Sequence, residues 1–359
     1  MIDAVRDAAF MDRALFWAER GRGRTSPNPI VGAVVVTPDG IVAGQGAHLV
    51  AGGPHAEVHA LDAAGALAAG GTLYCTLEPC CHVGRTGPCV ERIVAAKIAR
   101  VVASVGDPNP RVAGRGFAYL REHGIVVDQG VGAGAASRQN APFFTWIHHQ
   151  RPFVTLKAAV SADGFVGARD ARVKLTGEIA DRWFQRQRAE VDAIGIGAGT
   201  LLVDDSRLTA RDVYRPRPLT RVVFDWRARV PATAQVFSTV GEGPVIMVVL
   251  DEVARGHQAH VDQLAKRGVT VERFPARDLA EVMGRLAALG ILSLLVEGGP
   301  ALQTAFAAAG LVDRVQCVRT PHQLGGGVAA PGIVSDSRAD RTIRLGADIL
   351  SERDVYRID

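Results

Sequence analysis

Aromatic side chains are scarce in this chain, at 6% of residues, and no block of consecutive lysines and arginines occurs along it. Proteins that hold single-stranded nucleic acid stack bases on aromatic platforms inside basic grooves, so both shortages argue against a nucleic-acid partner. The formal net charge of +4 and a pI near 8.9 suit small anionic ligands instead. No apolar run reaches the length of a membrane span. The first twenty residues carry Asp3, Asp7, Asp12 and Glu19 in a helical pattern, unlike a signal peptide. No membrane partner and a cytoplasmic location are therefore expected. Cysteine is sparse and odd in number, five in all with Cys80, Cys81 and Cys89 close together, which reads as metal binding rather than a disulfide framework.

What is present is a globular composition, 48% hydrophobic and 22% charged, in a chain of 359 residues, long enough for two domains. The chemistry-bearing stretch lies between residues 55 and 89: His55-Ala56-Glu57, Leu77-Glu78-Pro79-Cys80 and Gly87-Pro88-Cys89. Catalytic zinc needs three protein ligands and one open position, where a bound water loses its proton near neutral pH. Zinc deaminases add a glutamate that is not a ligand and shuttles protons. His55, Cys80 and Cys89 fit the ligand set, and Glu57 fits the shuttle. The alternative, a satisfied histidine beside buried thiols, explains less of the combined spacing. Cys81 competes for the second ligand position. Deaminases acting on polynucleotides use Pro-Cys-x-x-Cys, whereas eight residues separate Cys80 from Cys89 here. That insertion carries His82, Arg85 and Thr86, donors suited to an anionic group on the substrate.

These runs, together with Pro27-Asn28-Pro29-Ile30-Val31-Gly32, His59-Ala60-Leu61 and Asp107-Pro108-Asn109-Pro110 leading to Gly114-Arg115-Gly116, resemble the bifunctional riboflavin-biosynthesis deaminase/reductase family over most of the chain. The resemblance implies an α/β protein with an N-terminal cytidine-deaminase-like α/β/α domain and a C-terminal dihydrofolate-reductase-like α/β domain. It implies Zn2+ in the first and NADPH in the second, phosphorylated pyrimidine substrates, and a homo-oligomer. The implied steps are deamination of 2,5-diamino-6-ribosylamino-4(3H)-pyrimidinone 5′-phosphate, then reduction of the ribosyl group of 5-amino-6-(5-phosphoribosylamino)uracil to ribityl. Asn28, His82 and Arg85 are the implied substrate contacts of the first site. Two rival readings remain: a nucleic-acid or nucleoside zinc deaminase with a weakened or accessory second domain, and a structural-zinc scaffold in which His82 is a fourth ligand.

Periodicity places a helix over 4–20 with Val5, Ala8, Ala9, Leu15 and Phe16 on one face. A buried strand follows at 30–36, with further strands at 72–77 and 101–105. Helices start near His55 and Pro88, so that their positive ends favour thiolate. A composition shift at 130–152 reads as a hinge helix or linker, setting a zinc-dependent deaminase domain at 1–148 and an NADPH-dependent reductase domain at 149–359. In the second half, strands near 153–158, 193–196, 221–225, 245–250, 269–272, 293–297 and 314–318 alternate with helices, notably at 178–190, 278–289 and 300–309. That alternation argues a mostly parallel sheet covered on both faces.

Val296-Glu297-Gly298-Gly299-Pro300 joins an apolar strand to an apolar helix, either a tight turn or a phosphate seat. The first strand carries no G-x-G-x-x-G, which argues against a Rossmann domain. The resemblance resumes at Leu156-Lys157-Ala158-Ala159 and at Gly197-x-Gly199-Thr200 through Asp204-Asp205, Leu208 and Arg211. It implies cofactor contacts from Ala159, Lys174, Thr200, Asp204, Gly299, Pro300, Ala301, Leu302, Gln303, Thr304 and Ala305. Leu208, Arg211 and Glu297 would line the substrate. Lys157 would polarise or protonate the sugar, unless it is a solvated strand end. The chain departs from the family at three places. Arg172-Val173-Lys174-Leu175-Thr176 replaces Ser-x-Trp-Ile-Thr, Asp225-Trp226 replaces Asp-Ser, and Asp204-Asp205-Ser206 replaces Asp-Asp-Pro. Either the reductase has drifted, or Lys174 or Arg172 meets a cofactor phosphate.

Overall fold

A computed structural model describes residues 2–82, 87–169, 171–336 and 338–355. Two compact units divide the chain, Met1–Gln150 and Arg151–Asp359.

The first unit is built on a five-stranded sheet in the order β2-β1-β3-β4-β5, with β1 Gly32–Val36, β2 Val42–Ala47, β3 Thr72–Cys75, β4 Arg100–Ala103 and β5 Val126–Gln129. β1 pairs antiparallel with β2 and β3, and the β3–β4–β5 pairs are parallel. The helices are α1 Ile2–Ala18, α2 Ala56–Ala64, α3 Cys89–Ala95, α4 Arg115–Glu122, α5 Ala133–Gln139 and α6 Ala141–His149. α1 forms where expected but buries a different face. Met11, Ala14, Leu15 and Ala18 point inward with Asp7, while Val5 and Phe16 are 73% and 66% exposed. A search for apolar residues missed this face because a carboxylate opens it. Asp7 is tolerated there because Tyr74 donates to it at 2.6 Å and the Arg100 guanidinium grips both its oxygens, which holds its carboxyl below the usual range.

Residues 130–149 are not a linker. They form α5 and α6, whose Ala136, Ala141, Phe143 and Phe144 are buried in the first unit. Between them the buried Asn140 side chain exchanges two hydrogen bonds with the Ile30 backbone, at 2.9 and 2.8 Å.

β2 went unrecognised because Val-Ala-Gly-Gln-Gly-Ala lacks the β-branched run of a strand. Its glycines explain why. A Cβ on Gly44 would lie 2.1 Å from the Ala60 carbonyl oxygen, and one on Gly46 would lie 2.4 Å from His59 Cβ. Helix α2 therefore lies directly on the strand, which fixes the position of its N-terminus.

The second unit holds a nine-stranded sheet in the order β11-β10-β9-β8-β12-β6-β13-β16-β15. Its strands are β6 Phe153–Val160, β8 Ala193–Gly197, β9 Thr220–Phe224, β10 Val245–Leu250, β11 Thr270–Phe274, β12 Ser293–Val296, β13 Arg314–Arg319, β15 Arg341–Leu345 and β16 Asp348–Asp354. β7 Phe165–Gly167 and β14 Val328–Ala329 form a separate ribbon. From β11 to β13 every pair is parallel, and β16 and β15 close the edge antiparallel. Successive residues of β10 feed opposite cores: Ile246 and Val248 pack with Leu156 and Val296, whereas Val245, Met247 and Val249 pack with Ile194 and Leu201. That is the buried-on-both-faces strand that the apolar runs predict. β15 and β16 read Arg-Thr-Ile-Arg-Leu and Asp-Ile-Leu-Ser-Glu-Arg-Asp, too polar to stand out from a loop.

Candidate active sites

His55 is the N-cap residue of α2 and Cys89 opens α3, so two sequence motifs converge at helix starts. His55 Nδ1 lies 3.4 Å from Cys80 Sγ and 3.3 Å from Cys89 Sγ. Tetrahedral zinc, with ligand bonds of about 2.0–2.3 Å, sets neighbouring ligand atoms roughly 3.5 Å apart, and these three fit it. Among the described residues no fourth His, Cys, Asp or Glu joins them. Cys81 turns away and its thiol meets the Arg111 carbonyl. The Cys89 amide donates to Cys80 Sγ at 3.4 Å, so a helix N-terminus faces this sulfur. Hydrogen bonds from the Cys89 thiol and from His55 pull Cys80 toward thiolate, well below the usual thiol range.

Glu57, two residues into the same site, is 3% exposed. Burial pushes its carboxyl up to about 7, against the opposing pull of His55. His55, Cys80 and Glu57 open on a cavity of about 440 Å3 that Asn28, His82, Asp107, Asn109, Phe143 and Trp146 also line, while Cys89 is fully buried. Arg85 and Thr86 lie outside the described residues. His82 reaches this cavity without joining the ligand triad, and its Nδ1 is buried with no hydrogen-bond partner among the described residues.

Two functional positions escaped the sequence. His48 accepts from the Asn28 amide at 3.1 Å through Nε2 and donates to the Pro54 carbonyl at 3.0 Å through Nδ1, tying Asn28 to the turn before His55. A lone histidine in a Gly-rich strand end gives no signal of that role. Glu78, noted only as a motif letter, accepts from the backbone amides of Asp107, Gly114, Gly116 and Phe117 at 2.9–3.3 Å. It therefore binds the Asp107–Gly116 motif to the Pro79-Cys80 turn.

In the second unit, Lys157 on β6 is half-buried, with its ammonium 4.2 Å above the Phe184 ring, not a solvated strand end. Burial lowers its pKa, and the Glu297 charge opposes that shift. Glu297 is clamped by Arg188 through two hydrogen bonds of 2.8 and 2.6 Å. Burial, the largest single effect, pushes its carboxyl up, but the charge and hydrogen bonds of Arg188 with the charges of Lys157 and Arg211 together outweigh it and depress the carboxyl to about 2. Arg188 was not anticipated, because a helical arginine with no motif is read as a solvated face. Arg211 is exposed in a segment where Leu208 and Asp212 adopt positive φ, +54° and +57°. Leu208 itself is only 4% exposed and packs in the core.

At the glycine junction Gly299 N donates to Thr200 Oγ1 at 2.8 Å, and Pro300 has no N–H. Of the contiguous run 299–305, Ala301, Leu302 and Ala305 line a cleft of about 690 Å3 with Gly197, Gly199 and Trp226. Gln303 turns inward and donates to the Lys157 carbonyl at 2.9 Å, while Thr304 is exposed. A helix spreads consecutive side chains around its axis, so seven neighbours cannot share one cleft. Asp204 and Ala159 are half-buried, and Arg172 is exposed. Lys174 does not stand free for a phosphate: its ammonium pairs with Asp181 at 2.9 Å.

Residues 152–348 match the family described as the RibD C-terminal domain, and residues 5–105 match the cytidine and deoxycytidylate deaminase zinc-binding region. The riboflavin biosynthesis protein RibD of Aquifex aeolicus is 39% identical over 324 residues, covering 90% of this chain and 89% of the relative. The chain belongs to the RibD family. The Escherichia coli RibD is likewise 39% identical, over 334 residues and 89% of each chain. Among solved structures, an Acinetobacter baumannii RibD superposes with a TM-score of 0.85 at 33% identity, covering 97% of this chain and 98% of the other. The diaminohydroxyphosphoribosylaminopyrimidine deaminase/5-amino-6-(5-phosphoribosylamino)uracil reductase of Thermotoga maritima gives 0.84 at 30% identity over 98% and 99%. This RibD-family chain is thus a bifunctional zinc-dependent deaminase and NADPH-dependent reductase of riboflavin biosynthesis. Among the described residues no helix is long and apolar enough to cross a membrane.

Proposed function

We propose that the unit Met1–Gln150 deaminates 2,5-diamino-6-ribosylamino-4(3H)-pyrimidinone 5′-phosphate, with His55, Cys80 and Cys89 as zinc ligands and Glu57 as the proton carrier. The observation that carries this reading is the cluster of His55, Cys80 and Cys89, two of whose members line one cavity together with a buried Glu57. When bound, zinc acidifies a water in its fourth position. Glu57 accepts a proton at its carboxylate and delivers it to the departing amine nitrogen. Asn28, held by His48, orients the pyrimidine, and Phe143 and Trp146 wall the cavity against bulk water. His82 and Arg85 are assigned to the substrate phosphate.

The unit Arg151–Asp359 then reduces the ribosyl group of the uracil product. Bound NADPH supplies the hydride. Lys157, whose burial weakens its hold on its proton, polarises the sugar at the carbon that receives it. Glu297, kept ionised by Arg188, and Arg211 bind the polar and phosphate ends of the substrate. Thr200, Asp204 and the start of the helix Pro300–Ala308 hold the cofactor.

Glu57→Gln tests the first assignment. The variant keeps one zinc per chain by metal analysis, loses about 10^2- to 10^4-fold in ammonia release, and still oxidises NADPH on deaminated substrate. Loss of the metal in that variant would instead make Glu57 part of the ligand shell.

A further inference from the structure

The 690 Å3 cleft carries charge that the reading above does not use. It lies at the carboxyl ends of parallel strands β8, β9 and β12, where Gly197 ends its strand and Trp226 and Ala301 follow theirs, the position at which open α/β sheets bind ligands. Arg227, Arg229 and Arg277 line it. Arg229 is loosely paired with Asp225 at 3.9 Å, and Asp225 also accepts from the Val230 amide. Asp278, the carboxylate among the lining residues, is committed to capping the helix Leu279–Ala288 through the Ala280 and Glu281 amides. Among the described residues, neither Arg227 nor Arg277 has a carboxylate within ion-pair distance. The remaining lining is apolar. Ala301, Ala305 and Ala308 recur on one helical face beside Leu279 and Leu302, and Trp226 is braced edge-on against Phe274 at 6.2 Å.

An apolar slot floored by small side chains, walled by an indole and rimmed by two unpaired guanidiniums fits a flat heterocycle that carries a phosphate. We propose that Arg227 and Arg277 together read the 2′-phosphate of NADPH, with the adenine held between Trp226 and the alanine face of the helix Pro300–Ala308. This rests on the placement of the cofactor in this cleft. Guanidinium forks match phosphate oxygens, and a dinucleotide without the 2′-phosphate leaves both arginines unmatched, so the pair sets NADPH above NADH. The replacement of Ser by Trp at 226 then supplies a stacking face at the adenine end, away from Lys174.

Calorimetric titration of the full-length protein with adenosine 2′,5′-bisphosphate and with adenosine 5′-diphosphate isolates this half of the cofactor. The expected preference for the 2′-phosphorylated ligand is about 10- to 100-fold, as for one to two charge-assisted hydrogen bonds. In the double variant Arg227→Ala/Arg277→Ala that ratio falls to near one, while 5′-diphosphate binding and ammonia release stay at wild-type levels. Trp226→Ala weakens both ligands by a common factor. A ratio preserved in the double variant, or equal loss of both ligands, overturns the phosphate assignment and leaves the cofactor in the cleft. NADPH binding untouched by all three substitutions overturns the cleft placement as well.

Discussion

The two units solve the problem of building a site in opposite ways. In the first, reactive side chains are buried, mutually bonded and seated on helix starts: His55 and Cys89 begin α2 and α3, and Glu78 collects four backbone amides beneath them. In the second, the cleft is formed by strand ends and a helix face, and most of its charged groups lie at the rim. Metal chemistry demands particular atoms at fixed separations, so it selects residue identities. A dinucleotide is held largely by shape and by backbone, so many sequences serve. The first site should therefore be brittle to substitution and the second tolerant, except where a buried charge is involved.

Glu78→Ala should be the most damaging change outside the cluster of His55, Cys80 and Cys89. It leaves four backbone donors without their acceptor, three of them on the Gly114–Phe117 turn and helix start. A loss of about 4 kcal/mol is expected from unsatisfied buried groups. Amide hydrogen exchange should accelerate at Gly114, Gly116 and Phe117, and ammonia release should fall with it. Wild-type protection at those amides would mean that water substitutes for the carboxylate, and that the first site is less brittle than its bonding suggests.

Arg188→Ala tests the Arg188–Glu297 ion pair, whose side chains are only 15% and 11% exposed. Glu297 has a folded pKa of about 2 against an ordinary 4.5, so its contribution to stability is full above pH 4.5 and is lost as pH falls toward 2. The wild type should therefore lose about 3 kcal/mol more than the variant across that window, and at neutral pH the variant should be less stable by a similar amount. Parallel acid-unfolding curves for the two proteins would show that Glu297 finds another partner.

The same contrast explains what the sequence disclosed. His55, Glu57, Cys80 and Cys89 were legible individually because each is a chemical requirement at a set spacing. Their supports were not: Glu78 and His48 act through backbone contacts that no spacing encodes, and Asp7 stands on a face that hydrophobicity alone assigns to solvent. The seven parallel strands of the second unit were legible as apolar runs, whereas β15 and β16, at a polar edge, were not. In the second unit the run 299–305 was found as a motif, but which of its side chains line the cleft follows from helix rotation: Ala301 and Ala305 do, and Gln303 does not.

Lys174 gives the smallest expected effect and the finest test of tolerance. Its replacement of a tryptophan suggested a new phosphate contact. Yet its ammonium is held by Asp181, its side chain is 66% exposed, and Asp181 also receives the Thr176 hydroxyl. A phosphate would have to draw Lys174 away from a carboxylate already at 2.9 Å. Exposed pairs of this kind contribute little and are screened by salt, so Lys174→Ala should change the NADPH KM by no more than about twofold at any ionic strength. The salt dependence of KM should persist in that variant and vanish in Arg227→Ala/Arg277→Ala, because the cofactor's phosphate is assigned to those arginines. A Lys174→Ala enzyme whose KM no longer rises with salt would return the phosphate contact to Lys174 and move the cation of this site from the far rim of the cleft to the segment before the helix Glu178–Glu190.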